Sequence, residues 1–143
     1  MKPAPALFRL WLLLGLLLGT PGAWAAEPLH QRTARKGVLD LRGLDLHQHP
    51  ISLNGEWLWQ WGELRVSRIP PAGSEPTPFP QLWNKSTWQG RPVPTEGTAT
   101  YFLTVLLPPH PGPIGLDMPD AYTAFRLYVN GEPFAEGGEV GPD

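Results

Sequence analysis

The sequence predicts an all-β sandwich preceded by a cleaved export signal. Three observations carry the β expectation. Proline and glycine are so frequent, 19 and 16 of 143 residues, that helices of ordinary length have little room. Between these breaks lie short runs with period-two alternation, the pattern of half-buried strands. The pairs Asn54-Gly55 and Asn130-Gly131 tolerate positive φ and mark tight turns or bulges.

The first element stands apart. Lys2 and Arg9 give a positive start, and Leu10 to Leu18 is an unbroken apolar core. Thr20, Pro21 and Gly22 end it, and Ala23-Trp24-Ala25 offers the small residues read by a signal peptidase. Residues 1–25 are therefore expected to be a signal peptide cleaved after Ala25. A retained anchor is the alternative, but spanning a bilayer takes ~20 apolar residues and this core is about half that. The chain has no cysteine, which excludes a lipid-anchored start and a disulfide scaffold. An ordinary apolar core must hold the domain.

Removing Lys2 and Arg9 leaves nine basic against thirteen acidic side chains. That balance argues against nucleic acid and against electrostatic attachment to anionic lipid. Residues 26–36 are polar and read as a loose lead-in, and residues 37–143 as one domain. Within it, 37–42 reads as a first strand and 51–53 leads to the Asn54-Gly55 signal. Residues 56–61 alternate three tryptophans, Trp57, Trp59 and Trp61, onto one face. Residues 70–80 read as a proline-rich loop. Residues 81–88 carry Trp83 and Trp88, and irregular chain follows to Gly97. The clearest strand is 99–107, with Ala99, Tyr101, Leu103, Val105 and Leu107 on one face. Another is expected at 114–118. The last pair, 122–129 and 132–135, is joined by a hairpin at Asn130-Gly131, with Phe125, Leu127 and Val129 inward and Arg126 and Tyr128 outward.

The order Leu53-Asn54-Gly55-Glu56-Trp57, Trp83 after a proline-rich loop, Gly97 to Tyr101, and Val129-Asn130-Gly131 resembles the galactose-binding-like jelly roll. Family 2 glycoside hydrolases carry such a sugar-binding domain at their start. The chain looks closer to the exported N-terminal sensor domain of bacterial seven-transmembrane receptors with diverse intracellular signalling modules. Residues 37–41 ahead of the Leu-Asn-Gly-Glu-Trp motif, and residues 122–131 followed by 137–141, carry that preference. The resemblance covers about residues 37–141 and implies a periplasmic or extracytoplasmic ligand-sensing domain. Membrane helices and a kinase or cyclase output would follow it. A jelly roll uses eight strands, and about seven are legible here, so the expectation is a sandwich missing its last strands, the front of a longer receptor.

A catalytic reading has little to stand on. There is no thiol nucleophile, no Gly-x-Ser-x-Gly elbow, and no marked pair of carboxylates. The expectation is a non-enzymatic domain without cofactor. Asp45, His47 and His49 alternate and could face one metal ion, but Pro50 follows and a fourth ligand is missing, so solvated histidines are the preferred reading. For a carbohydrate or other small ligand, Trp88 and Trp83 beside irregular chain are the candidate platforms, with Asp120, Tyr122 and Arg126 as polar and aromatic groups near a strand end. At least two of Trp57, Trp59 and Trp61 are assigned to the core instead. The rival readings are a carbohydrate-binding accessory domain of a secreted glycoside hydrolase and a stand-alone interaction domain.

Overall fold

A computed structural model of the chain describes residues 32–47, 50–117 and 122–141. The expected signal peptide with Ala25, and the candidates His49 and Asp120, lie outside the described residues. The described chain is all-β. Its strands are β1 (Val38–Asp40), β2 (Gly55–Trp61), β3 (Glu75–Phe79), β4 (Thr87–Trp88), β5 (Arg91–Pro92), β6 (Ala99–Phe102), β7 (Thr104–Leu106), β8 (Phe125–Val129) and β9 (Glu132–Gly137). Helix among the described residues is confined to a 3-10 turn, Trp83–Lys85.

Strand β2 is the centre of a three-stranded antiparallel sheet ordered β3-β2-β6. Its tryptophan alternation puts Trp57, Trp59 and Trp61 on one face, as the sequence implies. Trp59 is fully buried, whereas Trp57 and Trp61 are half-buried. Strand β3 was expected to be part of a proline-rich loop and is instead paired with β2 along its whole length. The prolines explain why both descriptions fit. Pro76 and Pro78 face Leu58 and Glu56, and neither has an N–H to give. Glu75, Thr77 and Phe79 carry the pairing, and the prolines strip donors from the strand's outer side, which suits an edge.

The expected strand 99–107 is broken at Leu103. Its first half, β6, pairs with β2; its second half, β7, pairs in parallel with β1. A wedge of chain from the expected lead-in causes the change of partner. Arg35 and Val38 exchange backbone hydrogen bonds of 2.9 and 3.0 Å around a tight turn at Lys36 and Gly37, whose φ angles are 47° and 76°. Gly37 then donates to the Glu56 carbonyl and accepts from Thr104, so it bridges β2 and β7. A Cβ there would stand 2.6 Å from Leu58 Cγ. On the preceding arm, Ala34 donates to Asn54 and accepts from Glu56. Gly55, at φ 132°, has no room for a side chain because the Ala34 backbone lies against it. The Asn54-Gly55 pair thus marks a close crossing of two chains rather than a hairpin.

The wedge brings its own core. Ala34, Leu39, Leu41 and Leu44 are buried together, with Ile51, Leu53, Leu103 and Val105 packed around them. Trp57 packs against the same cluster and donates from its indole to the Leu53 carbonyl at 2.7 Å. Asp40 closes the element. Its carboxylate accepts from the Arg42 side chain at 3.0 and 2.7 Å and from the Arg42 backbone at 3.0 Å. Those bonds from Arg42 pull the Asp40 carboxyl from 3.8 down to about 2.

The carboxyl-terminal hairpin forms as expected, with Asn130 and Gly131 at φ 54° and 83° in the two-residue turn between Val129 and Glu132. A bulge follows, because Tyr128 faces Pro133 while Leu127 faces Ala135. Phe125 and Leu127 are half-buried as the inward reading requires, but Val129 is exposed and Tyr128 half-buried, which reverses that pair. The strand expected at 114–118 is absent over its described residues: Ile114 and Leu116 lie exposed on irregular chain. Alternation alone supplied no partner ladder for that segment.

Candidate functional site

The aromatic face of the central sheet is covered by residues 81–93. Thr77 on β3 is buried, and its hydroxyl lies 3.2 Å from the Ser86 hydroxyl, which also accepts from Gln81 Nε2 at 2.5 Å. That polar knot fixes the start of the cover. Trp83 then lies edge-on to Trp61 at 5.5 Å, and its indole donates to the Thr95 carbonyl at 2.8 Å. Trp88 meets Trp59 edge-on at 6.0 Å. Rings continue through Trp59 to Tyr101 at 5.7 Å, Tyr101 to Phe79 at 5.4 Å, and Phe79 to Trp57 at 4.0 Å. Burial beside these rings pushes the Tyr101 phenol above its ordinary pKa. Edge-to-face and offset contacts at such separations are favourable beyond the area they bury.

A groove of about 490 Å³ opens where this cover meets the end of β2. Trp61 and Trp88 supply its indoles, and Gln60, Glu63, Arg65 and Gln89 its polar groups. The Arg65 side chain is held by the Glu63 carboxylate, and the backbone around them is tied down by Thr100, which accepts from Arg65 N–H at 3.0 Å and donates to the Glu63 carbonyl at 2.6 Å. The bond from Arg65 lowers the Glu63 pKa and raises that of Arg65, so both stay charged at neutral pH. The groove is lined mainly by polar surface, with Trp61 and Trp88 as its aromatic residues and one internally neutralised ion pair. It can stack on a ring and hydrogen-bond to its substituents without demanding charge.

A second hollow of about 580 Å³ lies at the other end of β2, against Ala34, Gly55, Pro78, Phe79 and Pro80. It is mostly apolar, with Arg35 and Glu56 as its charged residues.

The structure separates the residues singled out from the sequence. Trp88 lines the groove; Trp83 supports it from behind through Trp61. Tyr122 is 94% exposed, and Arg126 pairs across the hairpin with Glu136 at 3.6 Å. Neither lines the groove. Asp45 accepts the backbone N–H of His47 at 3.0 Å in a local turn, and both side chains are exposed. Gln60, Glu63, Arg65 and Gln89 carried no signal in the sequence. Residues 62–69 have no motif, and the site exists only because the 87–92 segment folds back onto β2.

Comparison with known proteins adds no relative. No family model, curated protein or solved structure matches the chain. The site therefore rests on its own geometry.

Proposed function

We propose that the chain is an extracytoplasmic, non-catalytic ligand-sensing domain on a galactose-binding-like jelly roll, the front part of a membrane signalling receptor, and that its ligand enters the groove beside Trp61 and Trp88. The observation that carries the reading is the groove itself, with two indoles, two amides and a carboxylate–guanidinium pair at one end of the sheet. Loops and short hairpins at the end of a rigid β scaffold are where binding residues gather. The seven helices and the output domain belong to this reading through the sequence resemblance alone, as does export by the signal peptide.

The same indoles favour a second reading, a carbohydrate-binding accessory domain of a secreted glycoside hydrolase. The two differ in ligand charge. Arg65 is already engaged by Glu63, so an organic acid must displace a carboxylate to reach it, whereas a neutral sugar need not. Thermal-shift and tryptophan-fluorescence titrations with neutral sugars and with organic acids test both. A ligand of this groove is expected to lose about tenfold or more in affinity in Trp88→Ala. Glu63→Gln is expected to tighten an organic acid by roughly threefold and leave a neutral sugar unchanged. No response to either panel from the folded, exported ectodomain would leave the interaction-domain reading in place of both.

A further inference from the structure

The β8–β9 hairpin has two outer edges, and the sequence treats them differently. Neither pairs with another strand among the described residues, and no backbone group of residues 122–137 bonds to backbone outside the hairpin among them. An open edge is a template for another strand unless proline or charge blunts it. In a two-residue hairpin the residues flanking the turn, Val129 and Glu132, form a hydrogen-bonded pair. Backbone groups then alternate along β8. Those of Val129, Leu127 and Phe125 point to β9, and those of Tyr128 and Arg126 point out from the free edge.

The edge of β9 is blunted. Pro133 stands opposite Tyr128, so its nitrogen faces outward and has no proton to give. The bulge between the Leu127–Ala135 and Tyr128–Pro133 pairs breaks the ladder there. A second β9 laid antiparallel about Phe134 would also set Glu132 against Glu136 at both ends. β8 has neither proline nor acid, and Tyr122 just ahead of it is 94% exposed. Its side chains match a copy of themselves. Laid antiparallel about Leu127, two copies of β8 set Leu127 against Leu127, Phe125 against Val129, and Arg126 against Tyr128. The first two pairs share one face, on which Val129 is exposed and Phe125 and Leu127 are half-buried in a single copy. On the other face Arg126, 3.6 Å from Glu136 of its own chain, meets the second copy's Tyr128 ring. The same register sets the outward backbone groups of Arg126 against those of Tyr128. Side-chain match and hydrogen-bond ladder therefore select one register.

We propose that β8 is a homodimer edge: two copies of the chain pair β8 to β8, antiparallel about Leu127, into a four-stranded sheet ordered β9-β8-β8-β9. The contact is two-fold and self-complementary, and it closes because the β9 edges on the outside are blunted. It uses no residue of the groove, so it stands or falls apart from the ligand-sensing reading.

Sedimentation velocity and amide hydrogen exchange of the purified chain, each over a concentration series, read the edge. A reversible dimer is expected, with a dissociation constant on the order of tens of micromolar, as suits so small an interface. Rising concentration is expected to slow exchange at the outward amides of Arg126 and Tyr128 by about tenfold, with Glu136 on the outer edge of β9 unchanged. Val129→Lys gains Glu132 across its own hairpin but loses the apolar pair with Phe125 at both ends of the two-fold, and is expected to weaken the dimer by about tenfold. The chain has no cysteine, so Leu127→Cys puts a single thiol at the two-fold axis. It is expected to cross-link two copies under mild oxidation, whereas Ala135→Cys on β9 is not. A chain that stays monomeric to millimolar concentration overturns the proposal, as does open-ended association. So does a dimer in which Arg126 and Tyr128 exchange as fast as in the monomer, or in which Ala135→Cys cross-links as readily as Leu127→Cys.

Discussion

At the scale of single residues, one glycine and one carboxylate do work that no apolar pattern reveals. A side chain at Gly55 would meet the Ala34 backbone, and backbone cannot swing aside as a side chain can. Gly55→Ala should therefore cost about 3–4 kcal/mol in urea unfolding, combining φ strain with displacement of the wedge. Gly43 also has a positive φ, 79° against 132° at Gly55, but nothing within 4 Å of an added Cβ. Gly43→Ala should cost only about 1 kcal/mol, and a loss at Gly55 no larger than that would count against the crowding by the Ala34 backbone. Asp40 makes a pH prediction. Its folded pKa, about 2, lies below the ordinary 3.8, because Arg42 bonds its ionised form. The stability this gives is present above the unfolded value and is lost as pH falls from about 4 through 2. Asp40→Asn should thus lower the urea midpoint at pH 7 and leave it nearly unchanged at pH 2. Arg42 is largely exposed and Asp40 partly so, and the effect is therefore small and screened by salt.

At the scale of elements, legibility followed the chemistry of pairing. β2 was plain because large rings alternate on it, and the β8–β9 hairpin because Asn130-Gly131 suits a turn with both φ angles positive. β3 was hidden because Pro76 and Pro78 imitate a polyproline loop, and only the neighbouring strand shows that they occupy outward positions. The turn at Lys36-Gly37 was hidden because lysine at positive φ has no sequence mark, and with it went the reason why 99–107 splits into two strands. The groove was half legible. Its tryptophans could be read, but its polar residues are brought in by the hairpin at Gln89-Gly90, whose two-residue strands are too short to show alternation. The knot under that hairpin can be tested directly. Ser86→Ala removes the partner of the buried Thr77 hydroxyl and of Gln81, and should cost about 1–3 kcal/mol. Adding Thr77→Val to Ser86→Ala should recover part of that loss, since no orphaned hydroxyl then remains. Additive losses in the double-mutant cycle would count against the knot.

At the scale of the whole molecule, stability should be uneven. The wedge, the central sheet and its cover share rings and backbone bonds, from Ala34 on Gly55 to Trp88 on Trp59. The β8–β9 hairpin shares little: it pairs with no other strand among the described residues, and its tip meets the body where Arg68 approaches Glu132 at 3.9 Å. Both of those side chains are largely exposed, so the pair adds little in water. Phe134, 60% exposed on this hairpin, confirms how little of it is buried. A two-stranded hairpin alone is marginal. The tryptophans beyond residue 24 all belong to the central cluster, so fluorescence follows that body and is blind to the hairpin. On heating, amides of Leu127 and Ala135 should lose protection well below the temperature at which tryptophan emission shifts, while amides of Trp59 and Tyr101 hold until that shift. If hairpin amides and tryptophan emission instead change together in one transition, the hairpin is welded to the sheet by contacts stronger than the Arg68–Glu132 pair. In that case a single substitution, Glu132→Lys, would move the hairpin's exchange by no more than the cluster's; if the hairpin stands apart, it should raise exchange at Leu127 and Ala135 alone.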